Sequence, residues 1–260
     1  MASVDPNRRI RIFFLLLILF FVAATTAVDS WRVRDWDRSL WVVIYPINAE
    51  GSDGVGSYIS GLEKAAFDPV VRFFEEEARA YELPLDTPVI VDLAPEIGQL
   101  PPPPPESRSV FRVALWSLRL RFWSWREDPY DGPTPNVRLF VLYHQADEGK
   151  VLAHSFGLAK GRIGVVNAFA SRRLAPSNQV IMVHELLHAL GATDKYDPET
   201  NMPLFPHGYA QPDREPLLPQ RFAEIMGGRI VVNADRADIP PSLDAVLIGP
   251  RTAREINWTE

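Results

Sequence analysis

Apolar residues along this chain recur in two rhythms. Short unbroken runs of β-branched and aromatic residues read as buried strands: Leu40 to Ile47 (LWVVIYPI), Pro88 to Leu93 (PVIVDL) and Val137 to Tyr143 (VRLFVLY). Ser155 to Ala159 and Arg162 to Asn167 read as two more, with Lys160-Gly161 at the turn between them. Helical spacing lies between the strands. Val70, Val71, Phe74, Ala78 and Tyr81 share one face of a helix that Asp68 would cap and Pro69 would open. Val113, Trp116, Leu120 and Trp123 form a stripe on a helix from Ser109 to Trp125, with Arg112, Arg119, Arg121 and Arg126 off it. That pattern predicts a core-facing helix with snorkelling arginines in preference to one lying on a membrane. Val180, Val183, Leu187 and Leu190 mark the core face of a third helix, within Asn178 to Leu190.

The segments between are read from their turn residues. Gly51, Gly54 and Gly56 predict a loop, and Pro101 to Pro105 an extended polyproline spacer. A short helix is expected from Pro219 to Met226, and another near the end with Thr252 and Glu255 as its capping box. Strands alternating with helices predict an α/β fold around a mostly parallel sheet packed on helices.

The first 28 residues stand apart. Arg8, Arg9 and Arg11 precede an apolar run from Ile12 to Ala24 that extends weakly to Val28. A cationic flank before such a run keeps the N-terminus in the cytoplasm and sends the following chain across the membrane. The run just reaches the length of a spanning helix, and Thr25 and Ala27 only imperfectly resemble a signal-peptide cut. Residues 1–28 are therefore expected to be a signal anchor or a signal peptide, the anchor being favoured. Residues 29–39 are read as a juxtamembrane link and residues 40–260 as one exported domain held at the membrane.

Composition narrows the chemistry. The chain of 260 residues carries a net charge of −6, and removing residues 1–28, with their three arginines and one aspartate, leaves −8. No basic block interrupts that acidic body, so nucleic acid is not expected as a partner. There is no cysteine, which excludes disulfides, thiolate ligands and a cysteine nucleophile and leaves His, Asp and Glu as metal ligands. Oligomeric state is not legible.

The segment Val183-His184-Glu185-Leu186-Leu187-His188 concentrates those residues. Histidines four apart project from one side of a helix about a turn apart, which lets both imidazoles reach one Zn²⁺. Glu185 sits beside the first of them, directed at an attacking water, where it can act as general base and then acid. A catalytic zinc wants a third protein ligand. Gly191 is placed to end the helix in a left-handed turn, after which the chain can double back and present Asp194. Glu224, from the short helix expected further on, and Asp197 are the competing candidates. His144, His154 and His207 have no ligand-like spacing.

His184-Glu185-x-x-His188-x-x-Gly191-x-x-Asp194 resembles the extended zinc motif of the metzincin clan of metallopeptidases, in the variant with Asp as third ligand found in snapalysin-type proteases. Most metzincins have His there, so the charge of this site departs from the commoner pattern. The resemblance implies a Zn²⁺ cofactor, a peptide substrate and an antiparallel edge strand upstream of the zinc helix. Ser155, Phe156, Gly157, Leu158 and Ala159 would be that strand, pairing with extended substrate. It also implies a methionine turn beneath the metal, for which Met226 in Ile225-Met226-Gly227-Gly228 is the better candidate and Met202 the weaker. Tyr196 or Tyr209 would stabilise the oxyanion. The helix at Ser109 to Trp125 lies outside the family's minimal core. Two other functions compete: a non-catalytic metal-binding or scaffold protein of the cell envelope, against which the intact Glu185 argues, and a zinc amidase acting on a non-protein amide.

Overall fold

A computed structural model describes residues 36–105, 109–147, 152, 155–158 and 162–259. The expected membrane segment, most of the link, His154, Ala159 and the Lys160-Gly161 turn lie outside these residues. No helix among the described residues is long and apolar enough to cross a membrane.

In chain order the elements are β1 (Leu40–Asn48), α1 (Asp53–Ser60), α2 (Asp68–Ala80), β2 (Val89–Leu93), α3 (Val110–Arg126), β3 (Val137–His144), β4 (Phe156–Leu158), β5 (Ile163–Phe169) and α4 (Ala175–Leu190). The short strands β6 (Ala223–Glu224), β7 (Ile230–Asn233), β8 (Arg236–Asp238) and β9 (Val246–Leu247) follow, and α5 (Pro250–Glu255) ends the fold. The central sheet has the order β2-β1-β3-β5-β4. β1 runs parallel to β2 and β3, and β3 parallel to β5, while β4 is antiparallel to β5 with Gly157 opposite Gly164. The fold is therefore α/β, with a mostly parallel sheet and an antiparallel edge strand.

Strand alternation divides the core into two layers. Val42, Ile44, Leu139, Val141 and Val166 face one side, where α1, α2 and α4 pack with Val55, Phe74, Val183 and Leu187. Val43, Tyr45, Ile47, Phe140 and Val165 face the other, which α3 covers through Leu120. Both faces are covered, which explains why these strands read as unbroken apolar runs.

Local rules and tertiary context disagree at four places. The glycines at 54 and 56 lie in α1, not in a loop; Ser52 caps the helix by accepting from the Val55 N–H at 3.4 Å, and Val55 and Ile59 are buried one turn apart. Burial and a cap outweigh a glycine cost of about 1 kcal/mol each. Asp68 is the first helical residue and not the cap, because a 3₁₀ turn over Lys64–Phe67 runs directly into α2. Residues 219–226 do not form a helix; Ala223–Glu224 pair in parallel with Val246–Leu247 instead. Trp36, inside the stretch read as a link, is buried, donates from its indole to the Ile256 carbonyl at 2.7 Å and packs edge-on against Trp258. The packed domain thus includes Trp36.

Candidate metal centre

The core face of α4 is anchored by Val183, Leu186, Leu187 and Leu190, each buried, which fixes the helix against the sheet. His184 and His188 then project together, ring centroids 4.7 Å apart. Each ring is held from behind. His184 Nδ1 lies 2.9 Å from the Ile225 carbonyl oxygen, and His188 Nδ1 lies 2.9 Å from that of Ala192. A carbonyl oxygen only accepts, so both Nδ1 atoms donate and both Nε2 atoms keep a lone pair.

Gly191 brings up the third group. Its φ of 104° is left-handed, and Ala192 N–H donates back to the Leu187 carbonyl at 3.0 Å, ending α4 in a tight reversal. Three residues on, Asp194 Oδ1 lies 3.2 Å from His184 Nε2 and 3.1 Å from His188 Nε2. The three ligand atoms all fall within 4.8 Å of one another, the one such group among the described residues. Bonds of about 2.0–2.1 Å in a tetrahedron put neighbouring ligands about 3.3–3.4 Å apart, close to the two separations seen here. Two ring lone pairs facing a carboxylate oxygen repel unless positive charge lies among them. The donor set therefore fits a divalent cation.

The electrostatics agree. Burial works to raise the Asp194 carboxyl, but the His184 and His188 rings, which can donate to it from Nε2 only when protonated, outweigh burial and hold the group well below the usual carboxylate range. Burial lowers His188, yet the Asp194 carboxylate reverses the sign and raises it. The cluster attracts positive charge, whether as protons or as a metal. Beside it Glu185 is buried, with Oε2 making no hydrogen bond among the described residues. Burial pushes its carboxyl up to about 7, against the pull of both imidazoles.

No protein-family model matches this chain, and no curated protein is similar to it in sequence.

The residues set out from sequence separate clearly. His184, Glu185, His188 and Asp194 converge. Tyr196 joins them, with its ring 6.3 Å from that of His184, and burial followed by the Asp194 charge raises its phenol to about 12. Tyr209 instead packs on Phe205. Glu224 is fully buried elsewhere, accepting from the Gly227 and Gly249 N–H groups and the Thr252 hydroxyl. Asp197 accepts from the Glu199 and Thr200 N–H groups of its own turn. His144 bonds Asn167 and Glu50, and His207 is exposed.

Met226 is completely buried, and the turn that holds it touches the cluster at two points: Ile225 O receives His184, and Met226 O receives the Lys195 N–H at 2.9 Å. Buried Glu224 closes that turn from inside through Gly227. A second brace escaped sequence reading. Glu255, at the end of α5, accepts from the Thr193 N–H at 2.9 Å, the Thr193 hydroxyl at 3.0 Å and Lys195 Nζ at 2.9 Å. Both neighbours of Asp194 are thus tied to one carboxylate. Thr252 and Glu255 form no capping box; Gly249 precedes the helix, and both side chains are spent on the site's supports.

β4 lies against α4 at the motif itself. A Cβ on Gly157 would stand 2.5 Å from His188 Cβ and 2.6 Å from the Glu185 carbonyl oxygen. Only glycine lets the strand approach so closely, and neither obstacle is the free end of a flexible side chain. Gly157→Ala is expected to lower stability by about 1–3 kcal/mol and to weaken metal binding, because the displacement falls between the two histidines. Urea unfolding and competitive zinc titration would measure both. Gly98→Ala, where a Cβ meets nothing within 4 Å, serves as the neutral control.

Proposed function

We propose that this chain is a zinc-dependent peptidase of the metzincin type, with His184, His188 and Asp194 as ligands and Glu185 as general base. The observation that carries the proposal is the convergence of two Nε2 lone pairs and Asp194 Oδ1 beside a buried carboxylate, with both rings locked by Nδ1–H bonds to backbone carbonyls. That locking is the outer-shell arrangement that metal-binding histidines use. The donor set alone would also suit ferrous iron; the adjacent buried carboxylate favours hydrolysis.

Zinc in this set would polarise a substrate carbonyl and lower the pKa of a water to about 7. The chain's own groups carry the proton. Glu185 Oε2, unpaired and shielded, accepts it from the attacking water and returns it to the leaving amine. Tyr196, kept protonated by burial and by Asp194, is a donor for the developing oxyanion. The outer edge of β4 pairs with no described strand, so Phe156, Gly157 and Leu158 offer backbone groups to an extended peptide laid beside α4. Met226 would supply the methionine turn. The run from Ile12 to Ala24 would hold the domain at the outer side of the membrane.

Metal analysis of the purified full chain, paired with cleavage of an unfolded protein, tests the reading. Stoichiometric zinc and cleavage abolished by chelator and restored by zinc are expected. Iron in place of zinc would overturn it, and bound zinc without cleavage would favour the scaffold function. Turnover of cell-wall amides alone would favour the amidase.

A further inference from the structure

Helix α3 is apolar on two opposite faces. One is spent on the core: Leu120 and Ser124 are buried, Trp116 packs on Phe156 of β4, and Trp123 on Phe140 of β3. The other carries Phe111, Leu115, Leu118, Phe122 and Trp125, spaced four, three, four and three residues apart, which makes one continuous stripe along the helix. These five side chains are between 42% and 76% exposed. Over its length of about 20 Å the stripe is far larger than the scattered apolar residues of an ordinary surface.

The charges beside the stripe identify its partner. Arg112, Arg119 and Arg126 recur every seven residues along one flank and are exposed, while Arg121 borders the other. No acidic residue lies within α3, although the chain as a whole carries −6. Phe, Leu and Trp below a waterline of arginines is the composition of a helix lying in an anionic membrane interface. A second copy of the chain would bring two arginine flanks into one seam with no acid within either helix, and Glu127 at the helix end is already paired with Arg126 at 3.3 Å. The apolar run Ile12 to Ala24 of the same chain would cover the stripe but, holding no acidic residue, would bring no negative charge to its arginine flanks.

We propose that α3 docks in the plane of an anionic lipid surface, with Phe111, Leu115, Leu118, Phe122 and Trp125 among the acyl chains and the arginines at headgroup level. This inference does not depend on the metal centre. Because Trp116 rests on Phe156, docking would hold β4 about one helix diameter, ~10 Å, from the lipid.

The absence of cysteine allows a clean test. The full chain is prepared with Leu118→Cys on the stripe, or with Glu76→Cys on the exposed side of α2 as control, each carrying an environment-sensitive fluorophore. In phosphatidylserine-containing vesicles the probe at 118 should shift to the blue and be quenched by lipids brominated high on the acyl chain, while the probe at 76 should not. Exchanging Arg112, Arg119 and Arg126 for Gln should lower the docked-to-undocked ratio about fivefold per arginine. Equal quenching of both probes by aqueous iodide would overturn the proposal. Shielding of the 118 probe from iodide without lipid quenching would overturn it in favour of a covering protein segment or a second copy. Unchanged docking on pure phosphatidylcholine would remove the role of the arginines and overturn the anionic partner.

Discussion

Glu185→Gln is expected to lower peptide turnover by about three orders of magnitude while leaving zinc content unchanged. The amide preserves volume and polarity in a buried position, so the fold has no reason to respond. It does not disturb the ligands either, since the carboxylate is absent from the group formed by His184, His188 and Asp194. What it removes is the capacity to take a proton. That loss has a signature in pH. A general base acts only when deprotonated, so under the proposed mechanism the rate should rise with pH through the Glu185 pKa. Burial pushes this pKa up to about 7 against the two imidazoles. A dication beside it would favour the charged form further, placing the acid limb of the profile below about 7. In Glu185→Gln that limb should vanish from the residual rate. Metal analysis, with steady-state cleavage of an unfolded protein across pH, reads all three effects. Loss of zinc from Glu185→Gln would instead make the carboxylate a ligand, and undiminished turnover would remove it from the chemistry.

The elements that position this site were legible wherever a local rule sufficed. Strands β1, β3 and β5 announced themselves because each is buried on both faces, and α4 because its apolar spacing and its histidine spacing are both helical. Gly191 was legible for a steric reason, a left-handed φ of 104°. The supports were not legible, because they are contacts across long stretches of chain. Glu255 meets Thr193 over 62 residues and Glu224 meets Thr252 over 28. In sequence Thr252 and Glu255 resemble a capping box, and nothing local reveals that both side chains are occupied elsewhere. Helix α3 illustrates a different limit. Its apolar positions occupy two opposite faces, so periodicity predicts a helix without saying which face meets the sheet. The structure assigns Leu120, Trp116 and Trp123 to the interior and leaves Val113, expected on the same stripe, 39% exposed.

Asp194→Ala should lose zinc, and Glu255→Gln should retain it more weakly; the contrast between them measures how the third ligand is held. Without the Asp194 carboxylate the two imidazoles remain as a two-ligand site, one short of the three protein ligands that a catalytic zinc takes. Its dissociation constant should therefore rise by more than the roughly 10–100-fold that loss of a supporting partner brings. Glu255 is such a partner. It touches no ligand atom, yet it receives the Thr193 N–H, the Thr193 hydroxyl and Lys195 Nζ, and so fixes the backbone on both sides of Asp194. Gln keeps one accepting oxygen where the carboxylate has two, so it can serve either the Thr193 N–H and Lys195 Nζ, which share Oε2, or the Thr193 hydroxyl on Oε1, but not all three, and its charge is gone. Lys195 is itself buried, so its charge would be left with little compensation. Glu255→Gln should thus weaken zinc within that smaller range and also lower the unfolding midpoint, whereas Asp194→Ala, at a half-exposed position, should affect the metal far more than the unfolding of the zinc-free protein. Zinc competition titrations with urea unfolding in chelator separate the two. Full zinc affinity in Asp194→Ala would move the third ligand to another residue, and the proposed hydrolytic site would have to be rebuilt around it.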